Sequence, residues 1–254
     1  MAKQKSIIRL RGTLGGITFY KSKDGYLARE SGGVSAERFR NDPRFKRSRE
    51  NCSEFGTAGK GAKLLRQSLR SLIMQASDSR VSNRLSSLLL KVVQSDPENE
   101  RGLRRIEEGN LSLLRGFEFN RQGKLDSSFY GSYESSIDRA TGEAQISLSA
   151  FTAEEVVVAP EGTTHFKLMS GISAVDFKLE TFASDFSYSE ILPWDQSLVP
   201  AMTLETSLSS MGGLPIFHVF GILFYQEVNG AMYPLKNSVY NALRLIGVDQ
   251  ESST

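Results

Sequence analysis

The sequence predicts an α+β fold in four parts. These are an N-terminal β-hairpin arm over residues 1–34, a basic segment of three to four helices over 35–110, an antiparallel β-sandwich over 111–249 and a polar tail over 250–254. Three observations predict it. Alternating residues punctuated by glycine open the chain. Apolar residues then recur at helical spacing to about Ile106. From about Leu111 the period drops to two, with turn dipeptides between short runs. At 254 residues, 39% hydrophobic and 24% charged, the composition is ordinary for a folded protein with an ample core.

In the arm, Ile7, Ile8 and Leu10 alternate with Arg9 and Arg11, and Gly12, Gly15 and Gly16 follow. Ile17–Tyr20 reads as a strand, Asp24-Gly25 as a tight turn, and Tyr26–Arg29 as a further strand. Ser35 with Arg38 and Phe39 starts a short helix, and Asp42-Pro43 is a stronger start signal, an N-cap followed by proline at the first helical position. Phe45, Arg49, Cys52 and Phe55 then share one helical face. Gly56–Gly61 reads as a bend before a second helix carrying Leu64, Leu65, Leu69, Leu72 and Ile73. A third starts near Asp78, with Val81, Leu85, Leu88, Leu89, Val92 and Val93 on its face, and Asp96-Pro97 ends it and opens a shorter one through Ile106.

Beyond Leu111, Phe117–Phe119 alternates, and Ser136–Asp138 and Gln145–Leu148 flank a turn at 139–143. Val156–Val158, His165–Leu168, Ala174–Phe177, Thr203–Leu208 and Ile216–Tyr225 are strand candidates. Asn229-Gly230, between Tyr225–Val228 and Ala231–Tyr233, is the strongest hairpin signal in the chain. Many short strands with regular turns favour an antiparallel sandwich.

Charge is distributed unevenly. Residues 1–116 hold 24 Lys and Arg against 12 Asp and Glu, and residues 117–254 hold 7 against 17, so the net charge of +2 is the sum of +12 and −10. Such asymmetry points to an acidic partner for the basic half, either nucleic acid or the acidic half of another copy. Arg38, Arg40, Arg44, Lys46, Arg47 and Arg49 cluster, and Lys60, Lys63, Arg66 and Arg70 recur on one helix face.

Reactive constellations are scarce. His165 and His218 lie in predicted strands, Cys52 in a helix, and no two sit at metal-ligand spacing, so no metal and no cofactor is expected. No serine lies in a Gly-x-Ser-x-Gly turn. Gly56–Gly61 lacks the spacing of a phosphate loop and follows no strand. The single Cys52 cannot form an internal disulfide and suits a reducing compartment. No signal-peptide-length apolar run follows the basic N-terminus, and Leu214–Tyr225 is too short to span a bilayer. The expectation is a soluble, cytoplasmic protein without a membrane span, its release as an assembled particle left open.

Gly12–Lys21 with Asp24–Arg29, Asn41–Phe45 with Arg47, Arg49–Asn51 and Glu54–Gly56, Leu192–Asp195, and Phe224–Gly230 with Tyr233–Leu235 together resemble an uncharacterised family of bacterial proteins. The resemblance spans nearly the whole chain. It implies that the basic helical part and the β part form one unit, and it brings no activity and no catalytic residues.

The resulting expectation is a non-enzymatic, structural subunit whose partners are copies of itself. Head-to-tail contacts that do not close would build a filament. Ile7, Ile8, Leu10, Phe19 and Tyr20 would supply apolar contact, and Arg44, Lys46, Arg47, Arg49, Lys60, Lys63 and Arg66 the charge. The alternative is a nucleic-acid-associated protein that binds through the basic helices. A third reading is a ligand- or carbohydrate-binding sandwich with Trp194 and Tyr188 at its site.

Overall fold

The computed structural model describes every residue except Met1, Ser6, Ile7, Lys23, Ser31, Ser210, Met211 and 252–254, with the backbone alone of Lys236 and Asn237. Helices and antiparallel sheets are both present, as an α+β fold requires. Two compact units divide the chain, Met1–Arg49 and Glu50–Thr254. This division differs from sequence boundaries at 34, 110 and 249.

The first unit is a four-stranded sheet in the order β1-β4-β3-β2, where β1 is Ala2–Lys3, β2 Gly12–Leu14, β3 Ile17–Ser22 and β4 Gly25–Glu30. The expected strand through Leu10 is absent at the described residues Ile8–Arg11, and Ile7 lies outside them. A side chain substitutes for ladder pairing there: Gln4 Oε1 accepts from the Leu10 N–H at 3.0 Å, and Gln4 Nε2 donates to the Leu27 carbonyl at 3.0 Å. Ser35 caps α1 (Ala36–Asn41) by accepting from the Arg38 N–H, and Asp42 accepts from the Arg44 N–H at 2.9 Å to open a 3-10 turn over Pro43–Phe45.

Helix α2 (Lys46–Ser68) runs without a break through the glycines expected to bend it. Each mid-helix glycine costs up to about 1 kcal/mol of propensity. Packing offsets this at Gly61, where an added Cβ would overlap the Ile106 side chain and meet the Phe177 ring at 3.4 Å. The helix therefore keeps a small-residue face, Ala58, Gly61 and Ala62, that lets neighbours approach. Phe55 and Cys52 stay at the surface, Phe55 at 58% exposure, so the face they share with Phe45 is not core. Two further helices follow, α3 (Arg70–Ile73) and α4 (Val81–Gln94). No helix forms over 97–106. Asp96 instead gathers the N–H groups of Glu98, Asn99 and Arg105 at 2.8–3.1 Å and holds a compact loop. Burial raises that carboxyl, but these donors outweigh it and hold the group below its ordinary value.

The remaining elements are α5 (Leu125–Ser128), β5 (Tyr133–Asp138), β6 (Glu143–Leu148), β7 (Phe151–Thr152), α6 (Ala153–Val156), β8 (His165–Asp176), β9 (Thr181–Tyr188), β10 (Leu192–Pro193), β11 (Leu198–Val199), β12 (Met202–Ser207), β13 (Ile216–Val228), β14 (Ala231–Pro234) and β15 (Ala242–Asp249). The two strands expected over 165–177 are one, and Val156 ends a helical turn rather than opening a strand. Asn229 and Gly230, at φ 52° and 76°, make the two-residue turn joining β13 to β14.

Strands β8 and β13 are the centre of a six-stranded sheet, with β9 and β10 flanking β8, and β14 and β15 flanking β13. Its two faces have different covers. Phe217, Val219 and Leu223 pack with Ala62, Leu65, Leu69, Leu85 and Leu89 of the helices. Phe220, Ile222 and Phe224 pack with Ile146, Leu148 and Leu204 of a three-stranded sheet, β12-β6-β5. The helical segment thus shares its core with the β segment. The same burial on both faces explains why 216–224 is apolar at every position except His218.

Candidate interaction surface

The first unit carries the strongest charge. Residues 1–49 hold 13 Lys and Arg against 4 Asp and Glu, a net +9; residues 50–254 hold 18 against 25, a net −7. That sheet buries little: Leu27 is its sole buried apolar side chain among the described residues of the unit, while Ile8 (73%) and Leu14 (71%) are exposed, and Leu10 and Ile17 also face solvent. A sheet of this size is stable by itself only with a hydrophobic face or with packing against a helix.

Pairing register sorts its side chains. Leu14 opposes Ile17, Phe19 opposes Ala28, and Ala28 opposes Ala2, so these five share one face. Lys21 opposes Tyr26 on the same face, at its other end. Arg9 and Arg11 lie 4.9 and 5.7 Å from the Tyr26 ring centre, with the Lys21 amine at 5.8 Å. The hydrogen bond from Arg11, with further help from Arg9 and Lys21, outweighs desolvation and lowers the Tyr26 phenol below its ordinary value. Tyr20 points to the opposite face, beside Leu27, with Arg29 at 5.5 Å. Phe19 and Tyr20, expected to act together, therefore serve different faces because neighbours along a strand alternate.

The basic residues divide too. Arg44, Lys46 and Arg47 are exposed on the first unit. Arg49 is spent internally, donating from Nη1 to the carbonyls of Phe39 and Asp42 at 2.7 and 3.0 Å. Lys60, Lys63 and Arg66 belong to the second unit. Lys60 lies 3.8 Å from Glu180, Lys63 is exposed, and Arg66 Nε turns back to the Ala62 carbonyl at 3.2 Å.

Acidic charge in residues 117–254 was evident in the sequence, and strand pairing gathers part of it on one face. The register β12-β6-β5 aligns Thr203, Ser147 and Glu134, then Glu205, Gln145 and Ser136, then Ser207, Glu143 and Asp138. These nine side chains form the solvent face of the three-stranded sheet, with four carboxylates and no cation among them. Strict alternation with buried Ala144, Ile146, Leu148, Leu204 and Thr206 was the available signal.

The groups considered for chemistry lie elsewhere. Trp194 Nε1 donates to the Val157 carbonyl at 3.0 Å and packs in the core beneath the three-stranded sheet, whereas Tyr188 packs in the helix-side core. The two do not share a site. His165 Nδ1 meets Thr164 Oγ1 at 2.9 Å, and its Nε2 stands 3.9 Å from Glu227. Among the described residues no cluster of three His, Cys, Asp or Glu side chains could hold a metal, and no helix is long and apolar enough to cross a membrane.

His218 is fully buried between the sheets, its Nε2 3.1 Å from Ser170 Oγ and its Nδ1 without a hydrogen-bond partner among the described residues. Burial pushes its imidazole down to about 4. The unfolded chain takes up this proton near pH 6.5 and the folded one does not, so about 3 kcal/mol of stability is lost as pH falls from 6.5 towards 4. Glu118 has the opposite sign. Burial raises its carboxyl to about 7, against lowering by the Leu125 N–H and Arg244. Its contribution is present below pH 4.5 and lost as pH rises through about 7. Glu118→Gln is therefore expected to raise the urea midpoint at pH 8 and to differ less from the parent at pH 5. Arg244 still has Asp126 as a partner in that variant. An offset that is equal at both pH values would contradict the assignment.

Compared with protein-family models, with curated proteins and with solved structures, the chain matches none.

Proposed function

We propose that the protein is a structural subunit that assembles head to tail, the basic N-terminal unit of one copy meeting the acidic second unit of the next. The carrying observation is the division of charge by unit, +9 in residues 1–49 and −7 in residues 50–254. It is joined by an N-terminal sheet that exposes Leu14 and Ile17 and buries one apolar side chain. The acidic solvent face of β12-β6-β5 is the receiving surface. Charge steers and orients such a contact, and apolar burial supplies most of its energy. A contact between two different surfaces of one chain propagates unless its rotation closes a ring. Assembly rather than catalysis is the activity assigned.

A second reading, nucleic-acid binding, draws on Arg9, Arg11 and Lys21 around Tyr26 and Arg29 over Tyr20, since cations beside half-buried rings suit phosphates and bases. Light scattering and negative-stain microscopy of the purified protein separate the two. Large assemblies that form more slowly as salt is raised are expected, because exposed charges are screened beyond about 10 Å at 0.1 M. A monomer across micromolar concentrations at low and moderate salt, retained on a polyanion column, would favour the second reading.

A further inference from the structure

A cleft of about 430 Å³ opens in the second unit between α2, the 102–107 loop and the turn joining β8 to β9. That volume lies within the roughly 300–1,000 Å³ of small-molecule sites. Gly61, Leu64, Ile106 and Phe177 contribute apolar lining, and Lys60, Arg104, Arg105 and Lys178 outnumber the carboxylates of Glu107 and Glu180.

The loop wall is fastened to α2. Ser53 Oγ donates to the Gly102 carbonyl at 2.7 Å, and the buried Glu54 carboxylate accepts from the Gly102 N–H at 2.9 Å. Arg104 is spent only in part, as a loose ion pair with Glu54. Its Nε is buried without a hydrogen-bond partner among the described residues, and its Nη1 stands 3.7 Å from Glu54 Oε1, beyond hydrogen-bond reach. An orphaned buried guanidinium donor is costly, and a planar donor fork suits an oxyanion. Lys60 and Glu180, both well exposed, form only a loose pair at 3.8 Å that an incoming anion can replace.

We infer that this cleft binds a small amphipathic oxyanion, a phosphate or carboxylate carried on an apolar body. The anionic head lies against Arg104, Lys60 and Lys178, and the body on Phe177 and Ile106. The helical segment Gly56–Gly61 contributes Thr57, Lys60 and Gly61 to the lining, although its backbone N–H groups are committed to α2 and cradle nothing. Binding in this cleft does not depend on assembly.

Titration calorimetry on the full chain uses four probes: phenyl phosphate, octanoate, inorganic phosphate and neutral phenol. Saturable binding of phenyl phosphate or octanoate is expected. Inorganic phosphate and phenol should each bind at least about tenfold more weakly. Arg104→Lys keeps a cation near Glu54 but lacks the fork, and should weaken binding about tenfold while the far-UV circular dichroism stays that of the parent. Lys60→Ala with Lys178→Ala, both at exposed positions, should weaken it similarly and serves if Arg104→Lys fails to fold. Absence of saturation with both amphipathic probes would overturn the inference. So would inorganic phosphate binding as tightly as phenyl phosphate, or affinity unchanged in the folded variants.

Discussion

Removal of residues 1–49 is expected to leave a folded monomer that no longer assembles. The three apolar cores draw all their residues from Ala58 onward, so the second unit keeps its packing without the first. Truncation cuts α2 before Glu50, which leaves Glu50 in the first turn and Glu54 one turn on, near the positive end of the helix dipole. The deletion discards the +9 unit and the face that carries exposed Leu14 and Ile17 with half-buried Phe19. Each such side chain contributes roughly 1.5–3 kcal/mol when fully buried against a neighbour, before entropic losses. Circular dichroism should retain helix and strand signals, and size-exclusion chromatography should show one monomeric peak. Truncated protein that builds the same assemblies as the full chain would remove the first unit from the account. Aggregated, unfolded protein would show instead that the sheet docks within its own chain.

Phe220→Ala is expected to lower stability by about 3–5 kcal/mol. Phe220 is fully buried on β13, edge-on to Phe129 at 5.8 Å and tilted against Tyr133 at 4.9 Å. It ties the central strand to the residue that caps α5 and to β5, so truncation leaves a cavity that its rigid neighbours cannot close. Urea unfolding gives the loss directly. A loss under about 1 kcal/mol would mean that this core repacks freely.

Much of this layout was legible in the sequence, and the misses have physical causes. Asp42-Pro43 and Ser35 announced helix starts because capping is local, and Asn229-Gly230 announced its hairpin because φ above zero favours few residues. Gly56–Gly61 misled because the packing that rescues those glycines comes from Ile106 and Phe177, far along the chain. The run 216–224 was read as a strand, but its meaning, cover on both faces, depends on helices residues 58–93 supply. Of the interaction surface, the charge of Arg44, Lys46 and Arg47 was visible at once. The inward turn of Arg49 and the opposite facing of Phe19 and Tyr20 required hydrogen-bond partners and register. The acidic face joins residues 134–138, 143–147 and 203–207, which only strand pairing brings together.

Head-to-tail contact between unlike surfaces is tested most directly by two variants, each blocked at one end. The first carries Arg44, Lys46 and Arg47 changed to Glu; the second carries Glu134, Asp138, Glu143 and Glu205 changed to Lys. All seven positions are exposed, so the fold should tolerate both sets. In analytical ultracentrifugation each variant alone should sediment as a monomer. Mixed in equal amounts, they should form one-to-one dimers and nothing larger, because one intact basic unit and one intact acidic face remain between them. Polymers from either variant alone, or a mixture that stays monomeric, would contradict the account.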